Sequence, residues 1–309
     1  MTLIRRGENG GIREIVRGGG RGRLEVIVLW DTPHRRAAGF AVEVLRRPRT
    51  HEVLTALADG MHMRPSEILG VLVRAGRRDA PVVGARPLDY RIVVRKVAEL
   101  HGAGLVARCG EHAARGSHTA YDLTRLGAGL AGSLDGLGDW GAAHFGQLVR
   151  ASRLRRELDP GAPVPPARRP PDRHTARLAV RLALGALDTR WAFSALVHCS
   201  AGPVAPGELL ARVNGAIAGQ PDLAGRRHLA TGPLYGTLAS LTRAGLLDRD
   251  GPDGPEYAAR VLYRPSELGS GLLGALWPVA EWGVGHDREL FRAVASRAGW
   301  TEAAGRIRA

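Results

Sequence analysis

The chain repeats itself. Residues 122–141 open D-L-T-x-L-G-A-G-L and close on D-W-G, while residues 264–283 open R-P-S-E-L-G-S-G-L and close on E-W-G. Tyr121, Leu126, Gly127, Gly129, Leu130, Trp140 and Gly141 recur as Tyr263, Leu268, Gly269, Gly271, Leu272, Trp282 and Gly283, at one interval of 142 residues. Upstream, residues 97–106 mirror residues 238–247 at an interval of 141. A repeat of this spacing constrains the fold before any element is assigned. It implies two copies of one domain, each of about a hundred residues, a usual domain size.

A length of 309 residues suits two domains. With 44% apolar residues each copy can bury a core, and with only 5% aromatics Leu, Val and Ala must fill most of it. The formal charge of +14 suggests a polyanionic partner. Lys96 is the only lysine in an Ala- and Gly-rich chain whose other cations are Arg, a pattern that GC-rich coding produces by itself. The positions of the charges therefore carry more weight than their sum. Cys109 and Cys199 are too few and too far apart for a zinc module or a disulfide framework, so incidental thiols are expected. Arg108 beside Cys109 offers a way to lower a thiol pKa. No run approaches the roughly 20 apolar residues of a membrane span. The first residues lead into Gly18–Arg23 and not into a secretory apolar segment. A cytoplasmic, soluble chain without a membrane partner is the expectation.

Residues 1–40 fall outside the repeat and read as a flexible Arg/Gly-rich extension, with a possible strand at residues 24–30. The first copy, residues 41–150, opens with Val42, Val44, Leu45, Val53, Leu54 and Leu57 at helical spacing, interrupted by Pro48. Pro65 marks a second helix start, with Pro206 as its counterpart. A loop rich in Arg and Gly is expected from Arg74 to Pro87. A helix capped by Asp89 should run from there to His101, with Gly102 and Gly104 at its end. Residues 105–109 and 118–123 read as a hairpin, and a final helix is expected over residues 127–149. Residues 151–175 are Pro-rich and predict an extended linker. The second copy follows at residues 176–290, and a helical tail containing Phe291 occupies 291–309.

Three helices, a two-stranded wing and a closing helix form the order of a winged helix-turn-helix, whose third helix enters the major groove. The residues sharpen this. L-x-x-L-x-x-x-G-L, then a hairpin closing on Y-x-L-T-x-x-G, then a helix ending in W-G resembles the HxlR-type winged-helix family of bacterial transcriptional regulators. The second copy carries the resemblance best, in residues 186–191, 238–249 and 276–283. The first keeps Tyr121 to Thr124 and Asp139-Trp140-Gly141, with His51 set against Trp191. The resemblance implies a mainly α (α+β) chain of two tandem winged helix-turn-helix domains, double-stranded DNA as partner, and no metal or organic cofactor. It leaves open a homodimer or an intramolecular pseudo-dimer. Both copies also carry a longer segment before the third helix, at residues 73–87 and 214–230.

The copies differ in charge. In the first, Arg91 and Arg95 lie four apart on one helix face with Lys96 beside them. Arg can fork onto guanine or phosphate. Arg108 sits at the base of the wing, with Arg115 and His118 around its tip, and Arg74, Arg77, Arg78 and Arg86 precede the helix. The equivalent helix in the second copy has no charged residue before Arg243, and its wing, residues 248–256, is acidic. Carboxylates there repel a DNA backbone carrying one charge per roughly 1.7 Å. Arg226 and Arg227 are the compensating cations nearby. The expected reader is therefore copy one. The competing expectation is a protein-interaction module that kept the fold and lost DNA reading. No phosphate loop, H-E-x-x-H or G-x-S-x-G motif stands in a suitable context, so no enzyme is expected. His51, His62 and His101 lack ligand spacing.

Overall fold

The computed structural model describes residues 2–6, 12–18, 24–27, 32–83, 88–109, 119–155, 172–218, 228–252 and 261–295. Within them a sequence of nine elements occurs twice. The first set is α1 (Thr32–Leu45), α2 (Thr50–Asp59), α3 (Pro65–Val83), α4 (Tyr90–Gly102), β4 (Val106–Cys109), β5 (Ala120–Leu123), α5 (Arg125–Gly132), α6 (Asp135–Ala143) and α7 (Phe145–Arg155). The second is α8 (Arg173–Ala186), α9 (Ala192–Cys199), α10 (Pro206–Ala218), α11 (Thr231–Arg243), β6 (Leu247–Asp250), β7 (Leu262–Pro265), α12 (Glu267–Ala275), α13 (Trp277–Val284) and α14 (Asp287–Ala295). The described chain is mainly helical, with small antiparallel sheets.

Ahead of these, β1 (Thr2–Arg6), β2 (Ile12–Gly18) and β3 (Leu24–Ile27) form an antiparallel meander. The flexible extension expected over residues 1–40 thus contains three strands and the start of α1. Residues 19–23 of its Arg/Gly run lie outside the described residues.

Local chemistry places the elements. Pro48 stands in the turn between α1 and α2. Asp89 accepts from the Ile92 N–H at 2.9 Å and caps α4, satisfying an orphan donor of the first turn. Gly104 and Gly245 take positive φ of 73° and 72° after α4 and α11, where a Cβ is disfavoured. Thr124 and Ser266 each bind two segments together. Their hydroxyls accept from the Gly127 and Gly269 N–H groups and donate to the Gly104 and Gly245 carbonyls.

Two expectations change. The loop expected from Arg74 to Pro87 is helical as far as Val83. Ile68, Leu72, Asp79 and Val82 are buried at helical spacing, and a buried Asp among arginines disguises that stripe in the sequence. The single helix expected over residues 127–149 is three, broken near Ser133 and His144, which cap the segments before them. The linker expected at 151–175 and the tail expected from 291 also yield residues to α7 and α14. The rest of the linker, residues 156–171, lies outside the described residues.

The two sets exchange their first helices. α1 packs on α13 and α14, and α8 packs on α6 and α7. Both are apolar over most of their circumference, with Ala37, Ala38, Phe40, Ala41, Val42, Val44 and Leu45 buried in α1 and Leu178 to Val180, Leu182 to Leu184 and Ala186 buried in α8. Such helices are stable only when covered on several sides. The contacts are reciprocal, as in a two-fold interface. A Cβ added to Gly141 would lie 2.9 Å from the Ala179 Cβ, and one added to Gly283 would lie 3.0 Å from the Ala37 Cβ. One added to Gly129 would overlap Trp282 Nε1, and one at Gly271 would overlap Trp140 Nε1. Each tryptophan stacks on a histidine one turn later, Trp140 on His144 and Trp282 on His286, with ring centroids 4.9 and 4.7 Å apart. Gly129, Gly141, Gly271, Gly283 and the two tryptophans of the repeated motif thus lie in the contact surface, whereas Gly127 and Gly269 abut the Leu105 and Leu246 carbonyls of their own repeat.

The ionic contacts of the two sides differ: on the α1 side Arg36 pairs with Asp287 at 3.0 Å, whereas the α8 side carries a larger, buried cluster. Arg181 on α8 reaches Asp79 Oδ2 at 2.7 Å and Glu52 Oε1 at 3.5 Å, and Arg49 meets Glu52 at 3.0 Å. His174 Nε2 lies 3.3 Å from Asp79 Oδ1. Burial pushes Glu52 upward, but His51, Arg49 and Arg181 outweigh it and hold its carboxyl below the usual range. At Asp79 burial prevails over Arg181 and the pKa is raised. At the interval of 142 residues, Gly39, Phe193 and Ser194 occupy the places of Arg181, His51 and Glu52, so His51 corresponds to Phe193 and not to Trp191 as expected. Two copies of the first repeat would therefore set Gly39 where Arg181 stands, leaving Glu52 with Arg49 alone and the buried Asp79 without its guanidinium partner, which is costly. This charge arrangement favours the pairing of unlike repeats.

Two expected outcomes follow from this interface. With a protease site introduced within residues 156–171 and cleaved, the halves stay together as a 1:1 complex by native mass spectrometry. Arg181→Gly weakens that complex, and a cleaved wild type that separates into two monomers would contradict the packing. The second concerns pH. Burial first, then Arg181 and Arg49, lowers His51 to about 4 despite Glu52, and burial with Arg35 and Arg212 lowers His198 to about 4. A histidine with a depressed folded pKa takes its proton first in the unfolded chain. Its contribution is complete above about pH 6.5 and is lost as pH falls toward 4, amounting to about 3 kcal/mol for buried His51. Urea unfolding between pH 7 and pH 5 should show falling stability, and His51→Phe should flatten the slope.

Candidate nucleic-acid interface

The exposed face of α4 is a basic surface on a helix opened by a side-chain cap. Val93, Lys96, Val97 and Leu100 face the core. Tyr90, Arg91, Val94, Arg95 and Ala98 are exposed. The four-residue spacing of Arg91 and Arg95 puts both guanidinium groups one turn apart on this face. Two large apolar side chains, Tyr90 and Val94, each 38% exposed, lie beside them on one flank of this face and were missed in the sequence. The readable signal was the same spacing, because residues 90, 91, 94, 95 and 98 form one helical stripe.

Lys96 departs from the expectation. It is buried and forms an ion pair with Glu99, three residues on. The reason is angular, since one residue beyond Arg95 turns the side chain about 100° toward Val93 and Val97. It does not share the exposed face.

Arg108 is exposed on β4, opposite Tyr121 of β5. The hairpin follows α4 directly through Gly104, and α4 packs on β4. Arg74, Arg77 and Arg78 are exposed on α3, which packs on α4. Exposed Arg side chains thus stand on three elements, α3, α4 and β4, of which α4 packs on both others. Arg86, Arg115, His118, Arg226 and Arg227 lie outside the described residues.

The second repeat presents different chemistry. On α11, Thr231, Gly232, Pro233, Tyr235, Gly236 and Ala239 are exposed, and the first charged residue is Arg243 in its last turn. On β6, Asp248, Arg249 and Asp250 are exposed. Arg249 donates to the Gly251 and Pro252 carbonyls at 3.5 and 2.7 Å, and Arg264 sits 3.7 Å from Asp248. These cations are engaged within the hairpin. Tyr235 is 40% exposed on an otherwise small and neutral helix face.

The Cys109 thiol does not follow the expectation of a lowered pKa. Burial and then the Asp122 carboxylate push it up, and the adjacent Arg108 does not offset them. The side chains of Arg108 and Cys109 point to opposite faces of the strand, as neighbours in a strand must. Cys199 is fully buried and pushed up to about 12.

No helix among the described residues is long and apolar enough to cross a membrane. No protein-family model, curated protein or solved structure matches the chain.

Proposed function

We propose that this chain is a sequence-specific DNA-binding transcriptional regulator, built as two tandem winged helix-turn-helix units of HxlR type. In this reading the reciprocal interface makes one chain do what two copies of a single-domain regulator do. α4 is the recognition helix of the first unit and β4–β5 is its wing. Arg91 and Arg95 contact bases or phosphates in the major groove, and Arg108 contacts the backbone beside it. The second unit, with its neutral α11 and its carboxylates at Asp248 and Asp250, supplies the paired framework and contributes little to DNA affinity.

The observation that carries this reading is the exposed pair Arg91 and Arg95 on the free face of a capped helix that leads straight into a hairpin bearing Arg108. A second reading rests on α11. Its neutral face with exposed Tyr235 suits a protein or small-molecule partner better than a phosphate backbone.

Fluorescence anisotropy with DNA flanking the protein's own gene tests the proposal. Arg91→Glu with Arg95→Glu should weaken binding by about a hundredfold or more, each base interaction being worth about 1–3 kcal/mol. The salt dependence should also flatten, by about 0.9 in log–log slope for every phosphate no longer neutralised. Lys96→Met should leave that slope unchanged, because its ammonium is buried. Wild-type affinity in the double variant, with an unchanged circular dichroism spectrum, would sink the assignment.

A further inference from the structure

His62, Cys109 and Asp122 are separated by up to 60 positions in the sequence, yet their ligand atoms all lie within 4.8 Å of one another. Strand register accounts for this. Met63 and Tyr121 form an antiparallel bridge, with N–H to O distances of 3.0 and 2.9 Å in the two directions. One step further along that register, His62 stands opposite Asp122. On the other side of β5, Asp122 pairs with Ala107, and Cys109 lies two residues beyond Ala107. Paired residues, and residues two apart, share a sheet face. The three side chains therefore converge on one face of the hairpin.

Two details favour a ligand there. His62 adopts φ 56°, a left-handed backbone for a residue with a side chain, and its Nδ1 comes within 3.5 Å of Asp122 Oδ2. Such a conformation is disfavoured for a residue with a side chain and is concentrated at functional sites. Asp122 Oδ1 is held by the Leu123 N–H at 2.8 Å, which leaves Oδ2 for the cluster. An oriented carboxylate of this kind is what metal sites use. The second repeat has the same bridge, between Val204 and Tyr263, but Pro203, Asp250 and Arg264 fill the three positions. Proline offers no ligand and Arg264 repels a cation, so the donor set belongs to the first repeat alone.

We infer that His62, Cys109 and Asp122 form a binding site for a zinc-like divalent cation. An imidazole nitrogen, a thiolate and a carboxylate are the three ligand types zinc accepts, and three protein ligands leave a fourth position for water or another donor. Tetrahedral zinc places its ligand atoms about 3.4–3.6 Å apart, given bonds of about 2.0–2.3 Å. The present separations, all within 4.8 Å, exceed that by about 1.4 Å at most. The cation replaces the Cys109 thiol proton, which leaves to solvent, and its charge offsets the burial and the Asp122 carboxylate that oppose the thiolate. Bound metal ties the turn between α2 and α3 to the hairpin. If the hairpin is a DNA-contacting wing, as proposed above, the metal fixes the strand that carries Arg108.

The test uses the full chain, reduced and stripped of metal, titrated with Co²⁺, and does not depend on DNA. Saturation at one equivalent with a thiolate-to-cobalt charge-transfer band, displaced by Zn²⁺, is expected. The band should vanish in Cys109→Ser, and apparent affinity should fall at least about tenfold in His62→Ala and in Asp122→Asn. As a check independent of substitution, Zn²⁺ should slow alkylation of Cys109 by iodoacetamide in the wild-type protein, read by peptide mass mapping. Absence of the charge-transfer band in the wild type would overturn the site, as would a band that persists in Cys109→Ser or an alkylation rate indifferent to zinc.

Discussion

Two tryptophans, each lying over a glycine of the other repeat, hold this structure in register. Trp140 covers Gly271 and Trp282 covers Gly129, with no room for a methyl group at either glycine. The same helices accept the first helix of the opposite repeat at Gly141 and Gly283. Because α1 and α8 are apolar on several faces, neither repeat can bury its own first helix alone. The exchange is thus a condition of the fold, not an embellishment. It also sets where α4 and α11 can lie relative to each other, since both are anchored to the exchanged core.

On that near-symmetric frame the chemistry is one-sided. Arg181, Glu52 and His51 meet at one end of the interface, where the equivalent positions hold Gly39, Ser194 and Phe193. The exposed face of α4 carries Arg91 and Arg95, whereas that of α11 is neutral. His62, Cys109 and Asp122 converge where the second repeat has Pro203, Asp250 and Arg264. In each case the framework positions are kept and the charged or ligating side chains differ. Duplication followed by divergence of the polar positions alone accounts for this, because the apolar and glycine positions are constrained by contact on both sides.

Elements whose cause is local were legible. The Asp89 cap, the Gly104 and Gly245 turns, the hairpins and the starts of α3 and α10 at Pro65 and Pro206 depend on one or two neighbouring residues. Elements whose cause is distant were not. The second half of α3 read as a loop because Asp79 interrupts its apolar stripe, and the partners of that buried carboxylate, Arg181 and His174, lie about a hundred residues away on α8. Arg91 and Arg95 were readable as an exposed pair from spacing. Lys96 was misplaced because charge alone does not reveal that a lysine's partner, Glu99, lies on the inward side of the same helix. His62 could have been suspected only by aligning the repeats through their strand register and noting three coincident departures.

By itself, the sequence determined that there are two copies of one unit, that helices precede and follow a hairpin in each, and which copy carries the basic helix. These follow from periodicity, caps and turns, which act over a few residues. Tertiary structure decided which helix covers which core, that glycines and tryptophans of the repeated motif meet across the interface, and that His62, Cys109 and Asp122 share one sheet face. Those outcomes rest on contacts between residues far apart in the chain, where packing and pairing, rather than local preference, select one arrangement.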